Sequence, residues 1–357
     1  MRGLLLLLAA AFVILLGHPC AVLALDQFKL LDLQVGGERL TGRVLTHNDQ
    51  LCWFLRRDGR LEKFAMAKVT DFKEVGQRFQ AHSAKEIKAQ LQVEFGKAYE
   101  VRTSSHYVVV ARPGAAEDYA VMFERIYREF VRLFRARGLE IVEPEFPLVA
   151  IVFPDQRGFV AYCTAQGAHL QPGLVGFYLP SSNRVAMYER PNVAEVDGTV
   201  IHEATHQVAF NTGIHCRVAD HPRWVVEGLA TVLEADGIRT RQGSSLPADR
   251  VNRQRYLWFQ DYANTRRPAR SLAGFVREDR PFQQTPLDAY SEAWALSFFL
   301  LETRPLQYSK YLKRLVERDP LSAYEAGSRV NDFSEIFGAD LDSLETQYLR
   351  FIKRIAE

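Results

Sequence analysis

The chain has 357 residues, longer than one ordinary domain and enough for one large or two to three modest ones. Hydrophobic residues make up 47% and charged residues 25%, the make-up of a core-forming globular protein. A formal net charge of +2 gives no bulk signal for a nucleic-acid partner or for an anionic membrane surface.

In chain order, Met1-Arg2 is a minimal basic start and Leu4 to Leu16 is an unbroken apolar run, ended by Gly17-His18-Pro19. Val22-Leu23-Ala24 then supplies a small-residue cleavage pattern. The run is shorter than the roughly 20 residues a spanning helix needs, so residues 1–24 read as a signal peptide and the protein as exported, periplasmic or extracellular. The alternative is an uncleaved signal anchor, which would hold the protein at the membrane. His18-Pro19 ahead of Cys20 is not a lipid-attachment context. Loss of the leader leaves Cys52, Cys163 and Cys216, so at most one disulfide forms within the chain, with Cys163–Cys216 the pair to test. No C-x-x-C spacing exists, which argues against a thiolate metal site, and the fold is expected to rest on its apolar core.

Residues 27–80 read as a small β-module of about four strands, a partly open barrel, with Asp58-Gly59 as a hairpin turn between Cys52-Trp53-Phe54-Leu55 and Leu61-Glu62-Lys63-Phe64. A helix is expected over Ala84–Phe95, a strand over Tyr107–Ala111 and a helix over Glu117–Arg137, where apolar residues recur at helical spacing. Leu148–Phe153, bounded by prolines, reads as a buried strand. Gly173–Tyr178 and Arg184–Tyr188 read as a hairpin around residues 180–183. Residues 84–240 thus form a mixed α+β unit, and residues 241–357 a largely helical one.

Between Asn192 and Gly213 stands His202-Glu203-Ala204-Thr205-His206. Asn192 with Glu195 is a capping box and Gly213 sits where a helix stops. Residues four apart share a helix face, so both imidazoles can address one ion, with Glu203 about 100° around the helix, near enough to reach water on that ion. A catalytic zinc takes three protein ligands and leaves a fourth position open. Glu227 is the third candidate, because it is a carboxylate inside the apolar helix that follows His221-Pro222, where an uncompensated charge would be costly. His215 and His221 are the rivals. A third-histidine arrangement needs Gly three and His six residues after His206, and those positions hold Ala209 and Thr212. Glu234, seven residues beyond Glu227 on the same face, is read as a supporting or surface residue.

His202-Glu203-x-x-His206 followed by Trp224-Val225-Val226-Glu227-Gly228-Leu229-Ala230 resembles the gluzincins, specifically the bacterial secreted peptidase-MA-like group. Tyr290-Ser291-Glu292-Ala293-Trp294-Ala295-Leu296 and Phe333-Ser334-Glu335-Ile336-Phe337-Gly338 are similar to its later helices, so the resemblance spans about residues 118–356. It implies an α+β fold with a zincin-like (gluzincin) catalytic domain, the small β-module at its N-terminus and a helical C-terminal part. It further implies one Zn2+ per chain on His202, His206 and Glu227, with Glu203 as general base and Tyr290 as donor to the oxyanion. The hairpin Gly176–Tyr188 would carry the edge strand that pairs with extended substrate. The expected activity is hydrolysis of a peptide or protein, which the export signal would place at the cell envelope. The alternatives are a catalytically silent zincin-fold binding protein and a non-peptidase metallohydrolase. One departure is Thr231, four positions after the third ligand, where related enzymes commonly carry an acidic residue that orients a metal-bound His.

Overall fold

The computed structural model describes residues 29–168, 173–189, 193–239 and 246–355, without the side chains of 193–197. The leader and the Asn192–Glu195 capping box lie outside the described residues.

The N-terminal sheet holds β1 (Lys29–Val35), β2 (Glu38–His47), β3 (Leu51–Arg56), β4 (Leu61–Ala65) and β5 (Val69–Arg78), in the order β4-β3-β2-β1-β5 with antiparallel neighbours. It is a five-stranded open sheet, one strand more than expected. The last strand, β5, is mostly exposed and shows no in–out alternation. Gly59 makes the predicted hairpin: it takes a left-handed φ of 85° and its N–H donates to the Arg56 carbonyl at 3.0 Å.

The second sheet runs β6-β7-β8-β10-β9, from β6 (Glu100–Thr103), β7 (Tyr107–Ala111), β8 (Leu148–Phe153), β9 (Gly176–Leu179) and β10 (Arg184–Tyr188). β7, β8 and β10 are parallel, while β6 and β9 are antiparallel edges. β7 and β8 are buried at every residue, as continuous apolar strands covered on both faces should be. One face meets α1 (Ala84–Phe95) and α3 (Gln156–Ala165). The other meets α2 (Ala116–Ala136) and α4 (Val193–Asn211). The β9 strand starts at Gly176, three residues later than the expected Gly173.

Beyond the sheet come α5 (Arg223–Leu233), α6 (Arg253–Thr265), α7 (Pro286–Thr303), α8 (Pro305–Val316), α9 (Ala326–Phe337) and α10 (Leu341–Arg354). The architecture is therefore α+β, with the antiparallel module first and helices last. One apolar core runs from Phe130 of α2 through Val200 and Trp224 to Trp294 and Tyr348. Trp294 stacks on Phe298 with ring centres 5.5 Å apart, and both are core residues. Two contacts tie the β-module to the β9–β10 turn. Leu61 N–H donates to Ser181 O at 2.7 Å, and Arg217 donates to Gly59 O at 2.7 Å and Pro180 O at 2.9 Å.

Cys52 and Cys163 are buried free thiols, so the expected Cys163–Cys216 pair does not form. Cys163 instead fills the core under α3 beside Phe159, and burial pushes its thiol up to about 11. Among the described residues, no helix is long and apolar enough to cross a membrane.

Candidate metal centre

The helix α4 runs to Asn211, and Gly213 follows with φ 84°, so the His-Glu-x-x-His segment lies well inside it. One turn separates the two imidazoles, whose Nε2 atoms are 3.0 Å apart. Glu227 arrives from α5, its Oε2 3.3 Å from His202 Nε2 and 3.5 Å from His206 Nε2. Three ligands at about 2.0–2.2 Å from a tetrahedral ion would be separated by about 3.3–3.6 Å. The triangle is near that size. Glu227 Oε2 is buried and has no hydrogen bond of acceptable geometry, which is an orphaned acceptor unless a cation completes it. Among the described residues, these three form the group that could hold a metal ion. The donor set, two imidazoles and one carboxylate, suits zinc.

The electrostatics follow from the crowding. Burial would raise the Glu227 carboxyl, but the two imidazoles outweigh it and hold the group well below the ordinary carboxylate range. Burial would likewise depress His202, and Glu227 with Glu234 reverse this and raise it well above its usual value.

The approach of α5 depends on Gly228. A Cβ there would collide with Ser297 Oγ and the Ala293 carbonyl of α7, so glycine lets the two helices meet beside Glu227. Gly176 has the same effect on the other side of the site, where a Cβ would strike Thr199 and crowd Glu203 on α4. Glu203 is buried, and its Oε2 accepts the Tyr178 backbone N–H of β9 at 2.7 Å. It is outside the ligand triangle and fixed by the edge strand.

Thr231 does not orient a histidine. Its hydroxyl donates to the carbonyls of Glu227 and Gly228 at 2.8 and 3.0 Å within its own helix. Glu234 takes that place, with Oε1 2.8 Å from His202 Nδ1. The Asn252 amide donates to Glu234 Oε2 at 2.8 Å and to the Thr231 carbonyl at 3.0 Å. The seven-residue spacing from Glu227 signalled Glu234; nothing local signalled Asn252, which comes from the N-terminal end of α6. Such supporting groups typically change metal affinity about 10–100-fold. Competitive chelator titration of Glu234→Ala should show a zinc affinity lower by about that factor, and an unchanged affinity would mean that His202 needs no such anchor.

Tyr290, in the first turns of α7, is brought to the centre. Its hydroxyl lies 3.5 Å from Arg223 Nη2, and Arg223 Nε lies 3.5 Å from Glu227 Oε1. Burial first, then the Glu227 charge, raise the phenol above its ordinary value. Arg223 was missed in the sequence because a first-turn arginine is common and its partner is 67 residues away. His215 and His221 are not part of the triangle. They sit with rings 5.1 Å apart, and His221 Nε2 accepts the Cys216 N–H at 2.8 Å. Burial depresses His221 to about 4 and His215 well below its usual value.

A sequence family described as a protein of unknown function (DUF1570) matches residues 196–322. That match covers the whole metal centre. No curated protein matches the chain. Among solved structures, the chain is similar to native yeast LTA4 hydrolase and to the same enzyme in complex with Bestatin. Each match is at 16% identity with a TM-score of 0.40 and covers 69% of this chain. It spans 38% of the length of those structures. A likeness this distant carries no argument about activity.

Proposed function

We propose that the protein is a zinc-dependent metallopeptidase that hydrolyses peptide bonds. One observation carries this reading: a half-buried His202-His206-Glu227 triangle near the size a tetrahedral ion needs, with the Glu203 carboxylate beside it and outside it. Zinc held there would supply Lewis acidity, polarising a peptide carbonyl and lowering the pKa of water toward about 7. Glu203, fixed by the Tyr178 N–H, takes the proton from the attacking water and returns it to the departing amine. Tyr290 and Arg223 are the donors available to charge developing on the carbonyl oxygen. The strand β9 is an antiparallel edge lying on α4, which supports docking of an extended peptide by strand addition. Under this reading the protein is exported, and its substrates are peptides or proteins at the cell envelope.

Zinc quantitation on purified protein, followed by proteolysis profiling against a peptide library, tests this. The expected result is about one zinc per chain and cleavage that stops with a chelator and returns with zinc. Bound zinc without cleavage of any peptide would overturn the peptidase reading in favour of a binding protein or another metallohydrolase.

A further inference from the structure

Next to the candidate metal centre stands Arg255, a cation that pairs with no carboxylate among the described residues. Arg255 is in the first turn of α6, three residues after Asn252, whose amide holds Glu234. Its guanidinium stands over the Tyr290 ring, 5.4 Å from the ring centre. Its Nε is buried with no hydrogen-bond partner, and among the described residues no carboxylate pairs with it. Three other arginines of the helical part have carboxylate partners: Arg250 pairs with Glu302, Arg266 with Asp288, and Arg329 with Asp279. A buried Nε–H left without an acceptor is costly, and a ligand carboxylate would remove that cost while engaging the forked donors of the guanidinium.

The position says where on a bound chain that carboxylate belongs. Arg223 contacts the Tyr290 hydroxyl and Arg255 covers the ring of the same side chain. An extended peptide advances about 3.3–3.6 Å per residue, so groups at the two ends of one tyrosine address points one or two residues apart. Resting on the metallopeptidase reading above, we propose that Arg255 is a specificity-determining residue. It selects peptides that carry a carboxylate, a free C-terminus or an acidic side chain, within two residues of the bond cleaved.

A binding measurement tests this separately from turnover. Zinc-loaded Glu203→Gln protein is mixed with a randomised tetrapeptide pool prepared as free acids and as C-terminal amides, and retained peptides are counted by mass spectrometry. Acids should be retained about tenfold or more over amides if the terminus is recognised, and Asp- or Glu-bearing amides enriched similarly if a side chain is. Either preference should vanish in Arg255→Ala and return in part in Arg255→Lys. Equal retention of acids and neutral amides, no retention of either pool, or a preference that survives Arg255→Ala would overturn the proposal. Zinc-dependent cleavage of neutral amidated peptides by the unsubstituted protein would preserve the peptidase reading when this proposal fails. Absence of zinc-dependent cleavage of every peptide, acid or amide, with an intact carboxylate preference in binding would do the reverse.

Discussion

Glu203→Gln should lower zinc-dependent hydrolysis by about 10²- to 10⁴-fold, the contribution typical of a positioned general base, with zinc content still near one per chain. The expectation comes from where the residue sits. Glu203 is not among the three atoms that could hold the ion, so its loss should spare the metal. Its Oε2 accepts the Tyr178 N–H at 2.7 Å. A glutamine has the same shape and keeps a carbonyl oxygen for that bond, so β9 and α4 should stay together. What disappears is basicity. Steady-state kcat/KM beside metal analysis on the same sample decides the matter. Retained activity would remove the base role, and parallel loss of zinc would recast Glu203 as a support of the metal.

Arg267→Ala should cost about 3–5 kcal/mol of stability, the usual penalty for breaking a buried ion pair. Arg267 is 3% exposed and sits between Glu292 at 2.8 Å and Glu345 at 2.6 Å, which are 3% and 6% exposed. Glu345 also accepts the Leu272 N–H at 2.8 Å. Without the guanidinium, two buried carboxylates face each other with no cation. Burial already raises the Glu292 carboxyl above the ordinary range, and Arg267 opposes that. The folded state therefore holds this proton more tightly than the unfolded chain, so ionisation weakens the fold as pH rises through the folded value. Removing Arg267 enlarges the effect, and the stability loss should be greater at pH 7 than at pH 5. Chemical denaturation at both values measures it; a loss under about 1 kcal/mol at pH 7 would show that the network is solvated. The consequence reaches the site, because Glu292 is on the helix that carries Tyr290.

The sequence by itself determined what short-range geometry encodes. His202 and His206 had to share a face because a helix repeats every 3.6 residues, and the structure puts their Nε2 atoms 3.0 Å apart. Asp58-Gly59 had to turn because only a residue tolerant of positive φ closes that hairpin. Glu227 was legible because a charge inside an apolar helix needs a partner.

Tertiary structure decided the rest. The strand β5 has no alternating face, and its pairing with β1 sets its place at the sheet edge. Cys163 is a core thiol because α3 packs it against the sheet. Glu234, not Thr231, holds His202, and Asn252 in turn holds Glu234. Arg223 and Arg255 meet at Tyr290 from two other helices. Periodicity tells which residues share a face; which faces meet depends on how closely helices approach, and here glycines at 176 and 228 set that approach. The His202–His206 pair was written locally, while its meeting with Glu227 and the groups that orient and surround the three were assembled by packing.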